Sequence, residues 1–141
     1  LDTDEQALAS LLAEEAGVSG RIRFVHGDAA HLSYPDGSFG CAAMMDVLHH
    51  LHNPVRVLAE MSRVLAPEGR MVVADFDEQG FALVARVHRA EGCEHPRTAA
   101  TVSLAETELA RLGLRPIARM SAHLHDVVVL HRSSGRGPFA P

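Results

Sequence analysis

The chain has 141 residues, of which 47% are hydrophobic, and it carries a formal net charge of -5. This length is enough for one globular domain with a buried core, and the acidic balance argues against nucleic-acid binding, which needs a basic face. No apolar run approaches the roughly 20 residues of a membrane span, so no membrane partner is expected. All 13 cationic residues are arginine, which excludes mechanisms that require a lysine, such as a P-loop or a Schiff base.

The first predicted element is a helix over residues 3–16. Thr3 can cap this helix, and Gln6, three residues later, would complete a capping box. The spacing predicts one apolar face, made of Leu8, Leu11, Leu12 and Ala16. Gly17 can end the helix. Asp2, which precedes it, is then expected to be the last residue of a strand.

Three apolar stretches predict further strands. Residues 21–26 are strand-like and lead into the tripeptide GDA. Residues 41–47, CAAMMDV, form a nearly continuous apolar run, which is typical of a parallel strand buried on both faces. Residues 71–74, MVVA, predict a short strand that ends at Asp75.

The signals for helix starts are local. Asn53 followed by Pro54 is typical of a helix start, because Asn caps the first turn and Pro suits its first position. A further helix is predicted over residues 80–90. Ser103 and Glu106 predict a capping box that opens a short last helix.

The chain is predicted to close with two strands, over residues 115–123 and 126–132. The segment SSGRGPFAP, residues 133–141, is typical of a flexible tail. We therefore expect one domain over residues 1–132 and a tail over residues 133–141.

The alternation of helices and apolar strands predicts an α/β sheet that is parallel at least in its first part. Ligands of such sheets bind outside the carboxyl ends of the strands. The informative polar residues are therefore those at predicted strand ends, namely Asp2, Asp28, Asp46 and Asp75.

Two long stretches, FVHGDAAHLSYPDGSFG and MMDVLHHLHNPVRVLAEMSRVLAPEGRMVVADF, carry several linked motifs in one order. In this respect the chain resembles the class I S-adenosylmethionine-dependent methyltransferases of the small-molecule type. The resemblance is specific over residues 2–76 and only architectural beyond them. It implies a Rossmann-like, mostly parallel sheet with an antiparallel final strand, the cofactor S-adenosylmethionine and a small-molecule acceptor.

The resemblance also implies roles for particular residues. Asp2 would accept hydrogen bonds from both ribose hydroxyls, and Thr3 would border the adenine. Asp28 would accept from the adenine amino group, while the backbone N–H of Ala29 would meet a ring nitrogen. Met45 would offer its backbone carbonyl to the amino group of the methionine part. The pocket near the sulfonium and the acceptor would be lined by residues 46–50, beginning with Asp46. No catalytic residue is assigned.

A histidine-rich segment follows the predicted strand, with His49, His50 and His52 near Cys41. Its spacing differs from the i, i+4 pattern that places two metal ligands on one helix face, so no metal site is expected. His49 or His50 could act as a general base for an acceptor hydroxyl, although packing or contact with the substrate is the favoured role. Cys41 and Cys93 are expected to be free thiols in a reducing cytosol, so the predicted location is the cytoplasm.

The chain departs from the family pattern in three places. It contains no G-x-G-x-G loop, so we expect an N-terminally truncated domain that lacks the first strand and most of the second, and that binds the cofactor poorly or not at all. Gly40 stands where the family usually has Asp. Glu68 replaces a common Gly in the segment APEGR, where a type I turn would tolerate it as the third residue.

Two alternatives stay open at this point. The first is a nicotinamide-dependent oxidoreductase on a similar sheet, which the absence of lysine disfavours. The second is a degenerate methyltransferase-like module that binds or regulates a partner without catalysis. The oligomeric state is not indicated by any motif.

Overall fold

The computed structural model describes residues 3–94 and 96–133, with the side chains of Thr3 and Asp4 excluded. Helices and strands follow one another in a mixed order. The helices are α1 (Thr3–Glu15), α2 (Pro54–Val64), α3 (Glu78–Ala90) and α4 (Val102–Arg111). The strands are β1 (Phe39–Met45), β2 (Leu65–Phe76), β3 (Leu114–Ala122) and β4 (His125–Arg132).

The four strands form one mixed sheet in the order β1-β2-β4-β3. Strand β2 pairs in parallel with β1, while β4 pairs antiparallel with both β2 and β3. Three strands therefore run in one direction and only the last one opposes them. This arrangement confirms the predicted α/β class with an antiparallel final strand.

The core lies where α2 and α4 pack against each other and against the sheet. Leu58 of α2 and Leu109 of α4 are fully buried, and they meet Met71 of β2 and Leu130 of β4 in one apolar cluster. Fully burying an aliphatic side chain of this size contributes about 1.5–3 kcal/mol. This cluster is therefore the main source of stability in the part of the chain described.

Helix starts follow the local capping signals, with two changes from the prediction. The Asn53 side chain accepts from the backbone N–H of Arg56 at 3.2 Å, as predicted for α2. Helix α3 begins two residues earlier than expected, because Asp77 caps it by accepting from the N–H of Gly80 at 2.8 Å. The cap of α4 is Thr101 rather than Ser103. The predicted capping box of Ser103 and Glu106 is therefore wrong.

The N-terminal third differs most from its prediction. The strand predicted over residues 21–26 is wrong. Arg21 ends a short helical turn, residues 22–26 form no strand, and no described strand lies beside them to complete their hydrogen bonds. Helix α1 has nearly the predicted length, but its supposed buried face is exposed, since Leu8, Leu11 and Leu12 keep more than half of their surface in solvent. Strand β1 is also mostly exposed, with only Met44 buried.

The segment predicted as a type I turn lies inside β2 as a bulge. Glu68 has a φ of +61°, whereas the third residue of a type I turn has a negative φ. The expectation that Glu68 fits a type I turn is therefore wrong. Gly69 is required beside it, because a Cβ there would lie 2.7 Å from the Ala66 carbonyl oxygen.

Strands β3 and β4 are joined by a tight turn of two left-handed residues, His123 and Leu124, with φ values of +54° and +69°. The turn packs on the start of α3. The Leu124 carbonyl accepts from the N–H of Asp77 at 2.9 Å, and a Cβ on Gly80 would lie 2.4 Å from the same oxygen. Glycine at position 80 is therefore what allows the turn to approach the helix.

Within the described residues, no helix is both long and apolar enough to cross a bilayer. The predicted domain boundary agrees with the end of β4 at Arg132 but stays a prediction. The predicted tail lies mostly outside the described residues.

Candidate functional site

Carboxylates lie at the carboxyl ends of the two parallel strands. Asp46 comes directly after β1, and its N–H donates to the Ala74 carbonyl of β2 at 3.1 Å. Its φ of +54° is left-handed, a conformation that Asp tolerates better than most residues. Asp75 lies in the neighbouring strand, near its carboxyl end. The structure thus brings Asp46 and Asp75 to the edge where ligands of α/β sheets bind.

Asp75 and His49 form a buried pair. The His49 Nδ1 atom lies 2.6 Å from Asp75 Oδ1, and the His49 backbone N–H donates to Asp75 Oδ2 at 2.8 Å. The N–H of Phe76 also donates to Asp75 Oδ1 at 2.8 Å. Because an ionised carboxylate only accepts, these contacts place the proton of the imidazole on Nδ1. The pair fixes the short helical turn of residues 48–50 against β2.

A second histidine–aspartate pair is partly exposed. The His125 Nε2 atom lies 2.9 Å from Asp46 Oδ1, and its Nδ1 atom lies 2.8 Å from the His123 carbonyl oxygen. The His125 ring packs on Phe76, with ring centroids 4.8 Å apart. This pair connects the first half of the chain to its final strand.

Asp28 and Ala29 lie in an exposed loop before β1. The Asp28 carboxylate accepts from the N–H of Ala30 at 2.8 Å and lies 3.1 Å from His31 Nδ1. These two hydrogen bonds lower the pKa of Asp28, so the group stays ionised. Each oxygen of the Asp28 carboxylate takes part in only one of these contacts, so the carboxylate can still accept a hydrogen bond from an amino group.

The loop is anchored by α2 through Glu60 and Arg63. The Glu60 carboxylate accepts from the N–H of Leu32, and Arg63 donates to the carbonyls of Leu32 and Tyr34, each at 2.8–2.9 Å. The hydrogen bonds from Arg63 and the Leu32 backbone lower the pKa of Glu60 to about 2. Charge-assisted contacts of this kind hold the Asp28 loop at a fixed distance from the sheet.

Three of the predicted site residues, Asp28, Ala29 and Met45, border two adjoining hollows. A hollow of about 630 Å³ is lined by Asp28 and Ala29, and an adjoining hollow of about 530 Å³ is lined by Ala29 and Met45. Asp46 follows Met45 but turns towards His125. Asp2 lies outside the described residues, and Thr3 is described only as the first residue of α1. Their predicted contacts therefore stay predictions.

A third cavity, of about 440 Å³, lies at the carboxyl end of β2 beside the start of α3. Phe76 and Phe81 supply its aromatic wall, and Arg97 lies over the Phe81 ring at 4.4 Å while pairing with Glu78 at 3.5 Å. The loop opposite is held in place because the N–H of Thr98 donates to the His49 carbonyl at 2.7 Å.

Metal-binding geometry is not found in the described residues: no three side chains of His, Cys, Asp or Glu are grouped to hold an ion. Cys41 and Cys93 are both free and exposed, as expected.

Comparison with known proteins shows which family the chain belongs to. The model of the methyltransferase domain family matches residues 1–73, just over half of the chain. The chain belongs to the methyltransferase domain family. The matched segment of this methyltransferase domain includes the Asp28 loop, β1 and the buried pair's His49, and it ends within β2. The family predicted from the motifs is thereby confirmed.

Curated relatives match over the same part. A ubiquinone/menaquinone biosynthesis C-methyltransferase of Pseudomonas fluorescens (strain Pf0-1) is 36% identical over 76 residues, which are 54% of this chain and 30% of the relative. The 27-O-demethylrifamycin SV methyltransferase of Amycolatopsis mediterranei (strain S699) is 39% identical over 64 residues, or 45% of this chain and 24% of that protein. The matched segments thus span less than a third of either relative.

Solved structures resemble this methyltransferase domain along almost its whole length. A protein from Pyrococcus horikoshii OT3 superposes with a TM-score of 0.71 at 19% identity, covering 94% of this chain and 68% of that one. A geranyl diphosphate methyltransferase in complex with S-adenosylmethionine gives 0.64 at 14% identity, covering 94% and 66%. At these identities the likeness shows the fold alone.

Sequence reasoning missed the residues that hold the site together. Asp75 was recognised as a strand end, but its pairing with His49 was not predicted, and neither was the contact of His125 with Asp46. Glu60 and Arg63 lie within a quoted motif without a role. A signal was available for the last two, since Glu60 and Arg63 are an i, i+3 charged pair on one helix face.

Proposed function

We propose that this chain forms part of an S-adenosylmethionine-dependent methyltransferase site that acts on a small-molecule acceptor. The observation that carries the proposal is the junction at Ala29, where the Asp28 loop and the end of β1 share adjoining hollows. Asp28 and Met45 come from distant parts of the sequence, yet both border this space at the ligand-binding edge of the sheet.

The residues present fit such a cofactor at two points. The ionised Asp28 carboxylate suits an exocyclic amino group, because it offers only acceptors. At the other end, β1 ends at Met45 and the chain turns sharply at the left-handed Asp46. The Met45 carbonyl would accept from an ammonium group there. Asp28 and Ala29 would hold the adenine, and Met45 and Asp46 would border the methionine part. When bound, S-adenosylmethionine supplies an electrophilic methyl group on a sulfonium.

The contribution of this chain is then mainly to orient and to exclude water. For a hydroxyl acceptor, His50 is the group best suited to accept the proton. Its side chain is exposed beside His49, with ring centroids 4.0 Å apart. Although His50 is largely exposed, desolvation of the packed side of its ring, followed by the neighbouring His49, lowers the pKa of His50, so that its imidazole is neutral near pH 7 and able to act as a base.

The cavity beside Phe76 and Phe81 is the proposed place for the acceptor. It lies next to the buried His49–Asp75 pair, and its lining combines aromatic and polar groups. Aromatic walls with a few placed polar groups are typical of small-molecule sites. The acceptor atom, whether oxygen, nitrogen, carbon or sulfur, is not indicated by this lining.

Calorimetric titration of the chain with S-adenosylmethionine tests the proposal, with Asp28→Asn as the variant and Asp36→Asn as the control. Asp36 is an exposed carboxylate of the same loop, but it faces Arg63 rather than the hollow. Removing a hydrogen bond to a charged group should weaken binding about tenfold for Asp28→Asn, and the control should bind like the parent chain.

Equal weakening by both variants would contradict the assignment of Asp28. Mass spectrometry with a trideuteromethyl donor and a panel of small acceptors then tests transfer itself. A chain that binds the cofactor but methylates no acceptor would favour the alternative of a non-catalytic module.

A further inference from the structure

Strained backbone is concentrated beside Asp46. Among the described residues, four that are not glycine have a positive φ, and three of these, Asp46, His123 and Leu124, lie around one histidine. A leucine in this conformation is unusual, because its Cβ approaches the following carbonyl oxygen. Such residues persist only where surrounding contacts determine them, and they cluster at functional sites.

His125 provides such contacts for two of these residues, His123 and Asp46. Its Nδ1 atom lies 2.8 Å from the carbonyl oxygen of His123, and its Nε2 atom lies 2.9 Å from Asp46 Oδ1. Both partners are acceptors, since a carbonyl and an ionised carboxylate have no proton to donate. Both contacts form together only when each ring nitrogen carries a proton, which requires the imidazolium form of His125.

His31 shows the opposite case. Its Nδ1 atom faces the Asp28 carboxylate, but its Nε2 atom lies 2.9 Å from the guanidinium of Arg56, which can only donate. The neutral ring, with its proton on Nδ1, satisfies both contacts of His31. The need for a second proton therefore follows from the two acceptors around His125 and does not arise at His31.

Carboxylates lie on several of the elements around His125. Asp46 follows β1 and Asp75 lies on β2, while Asp77 caps α3, on whose start the β3–β4 turn packs. On β4 itself, the Asp126 carboxylate accepts a hydrogen bond from the Ser121 hydroxyl at 2.8 Å. The His123 carbonyl, followed by Asp46 and Asp75, raises the pKa of His125, although partial burial acts against them.

We propose that His125 is a positioning residue, whose imidazolium ties the β3–β4 turn to Asp46 and thereby fixes the Asp46 carboxylate beside the end of β1. When His125 loses a proton, one of its two contacts is lost, so that the ring no longer joins Asp46 to the His123 carbonyl. That positioning Asp46 serves cofactor binding rests on the proposed function, in which Asp46 borders the methionine part of the cofactor. The tie itself does not depend on that function.

Nuclear magnetic resonance of the full chain tests the tie. The imidazole ¹⁵N shifts of His125 should show two protonated nitrogens at pH 6, and the Asp46 carboxyl ¹³C shift should change at the same midpoint as His125 when the pH is raised. In His125→Gln the amide can still donate to Asp46 but cannot titrate, so that midpoint should vanish from the Asp46 signal.

His131→Gln is the matched control. His131 lies on the same strand and its Nε2 atom is 3.1 Å from the Glu68 carboxylate, far along β4 from Asp46. This variant should leave the Asp46 titration unchanged. The proposal would be overturned if His125 carried only one ring proton at pH 6. It would also be overturned if the Asp46 carboxyl shift did not change at the His125 midpoint.

Titration with S-adenosylhomocysteine across the same pH range tests the role in donor binding. The affinity should fall at least threefold as His125 loses its proton, with no such step in His125→Gln and an unchanged step in His131→Gln. If the His125–Asp46 contact titrates but the affinity for S-adenosylhomocysteine does not depend on pH, the positioning role is overturned. Absence of binding at every pH would contradict the proposed function and this role together, while the resonance data alone would decide whether the tie exists.

Discussion

Strands β1 and β2 are adjacent, parallel and similarly apolar, yet one is exposed and the other buried. Strand β2 has β1 on one side and β4 on the other, and Met71, Val73 and Ala74 are almost without solvent contact. Strand β1 has β2 on one side only among the described residues, and Met45 keeps 60% of its surface exposed. Burial is therefore determined by neighbours, while hydropathy shows only which residues tolerate it.

The largest effect expected from this contrast is in the core beneath β2. Leu58→Ala should lower the free energy of unfolding by about 2–5 kcal/mol, because Leu58 is fully buried and its removal leaves a cavity. Leu11→Ala on α1 is the control, since Leu11 is 53% exposed, and it should change stability by less than about 0.5 kcal/mol. Urea unfolding measures both, and comparable losses would show that α1 is packed more tightly than the structure has it.

A smaller loss is expected from the buried polar pair. Asp75→Asn replaces one acceptor oxygen by a donor where His49 and Phe76 present N–H groups. An unsatisfied buried group of this kind should cost about 1–3 kcal/mol in the free energy of unfolding.

Asp28→Asn alters the exposed counterpart, in which a carboxylate also contacts a histidine, and denaturant unfolding should show no measurable change. If Asp28→Asn lowered the free energy of unfolding as much as Asp75→Asn does, burial could not be the reason for the cost of Asp75→Asn.

A gain is expected at the bulge of β2. Glu68→Gly should raise the free energy of unfolding by about 0.5–1 kcal/mol, because the left-handed strain on Glu68 exceeds the added flexibility of glycine in the unfolded chain. Glu68→Ala loses the same carboxylate contact with His131 but keeps the Cβ, so it should show no gain in thermal unfolding. A gain in both would assign the effect to the side-chain charge.

The smallest effect is the dependence of stability on pH through His125. The pKa of His125 is raised in the folded chain, so its contribution is fully present below the ordinary value of 6.5 and is lost as the pH rises through the folded value. The stability difference between the parent chain and His125→Gln should therefore shrink as the pH is raised above 6.5. A difference that is constant between pH 6 and pH 9 would contradict this linkage.

The sequence was sufficient for the elements that depend on local signals. The Asn53 cap predicted α2, and the two closing apolar stretches predicted β3 and β4. The family motifs from GDA to APEG predicted the fold class. It was insufficient where the outcome depends on distant partners. Residues 21–26 have strand-forming composition but no described neighbour, and the contact of His125 with Asp46 joins residues 79 positions apart. No local pattern contains that information.

Gly80 has a consequence for stability engineering. A glycine inside a helix is an obvious target for replacement by alanine, which usually stabilises a helix by roughly 0.5–1 kcal/mol. Here the added methyl group would lie 2.4 Å from the Leu124 carbonyl oxygen and would push the turn away from the helix. The routine stabilising exchange would therefore disturb the part of the molecule that holds His125, and Gly80 belongs among the positions that a redesign of this chain should leave unchanged.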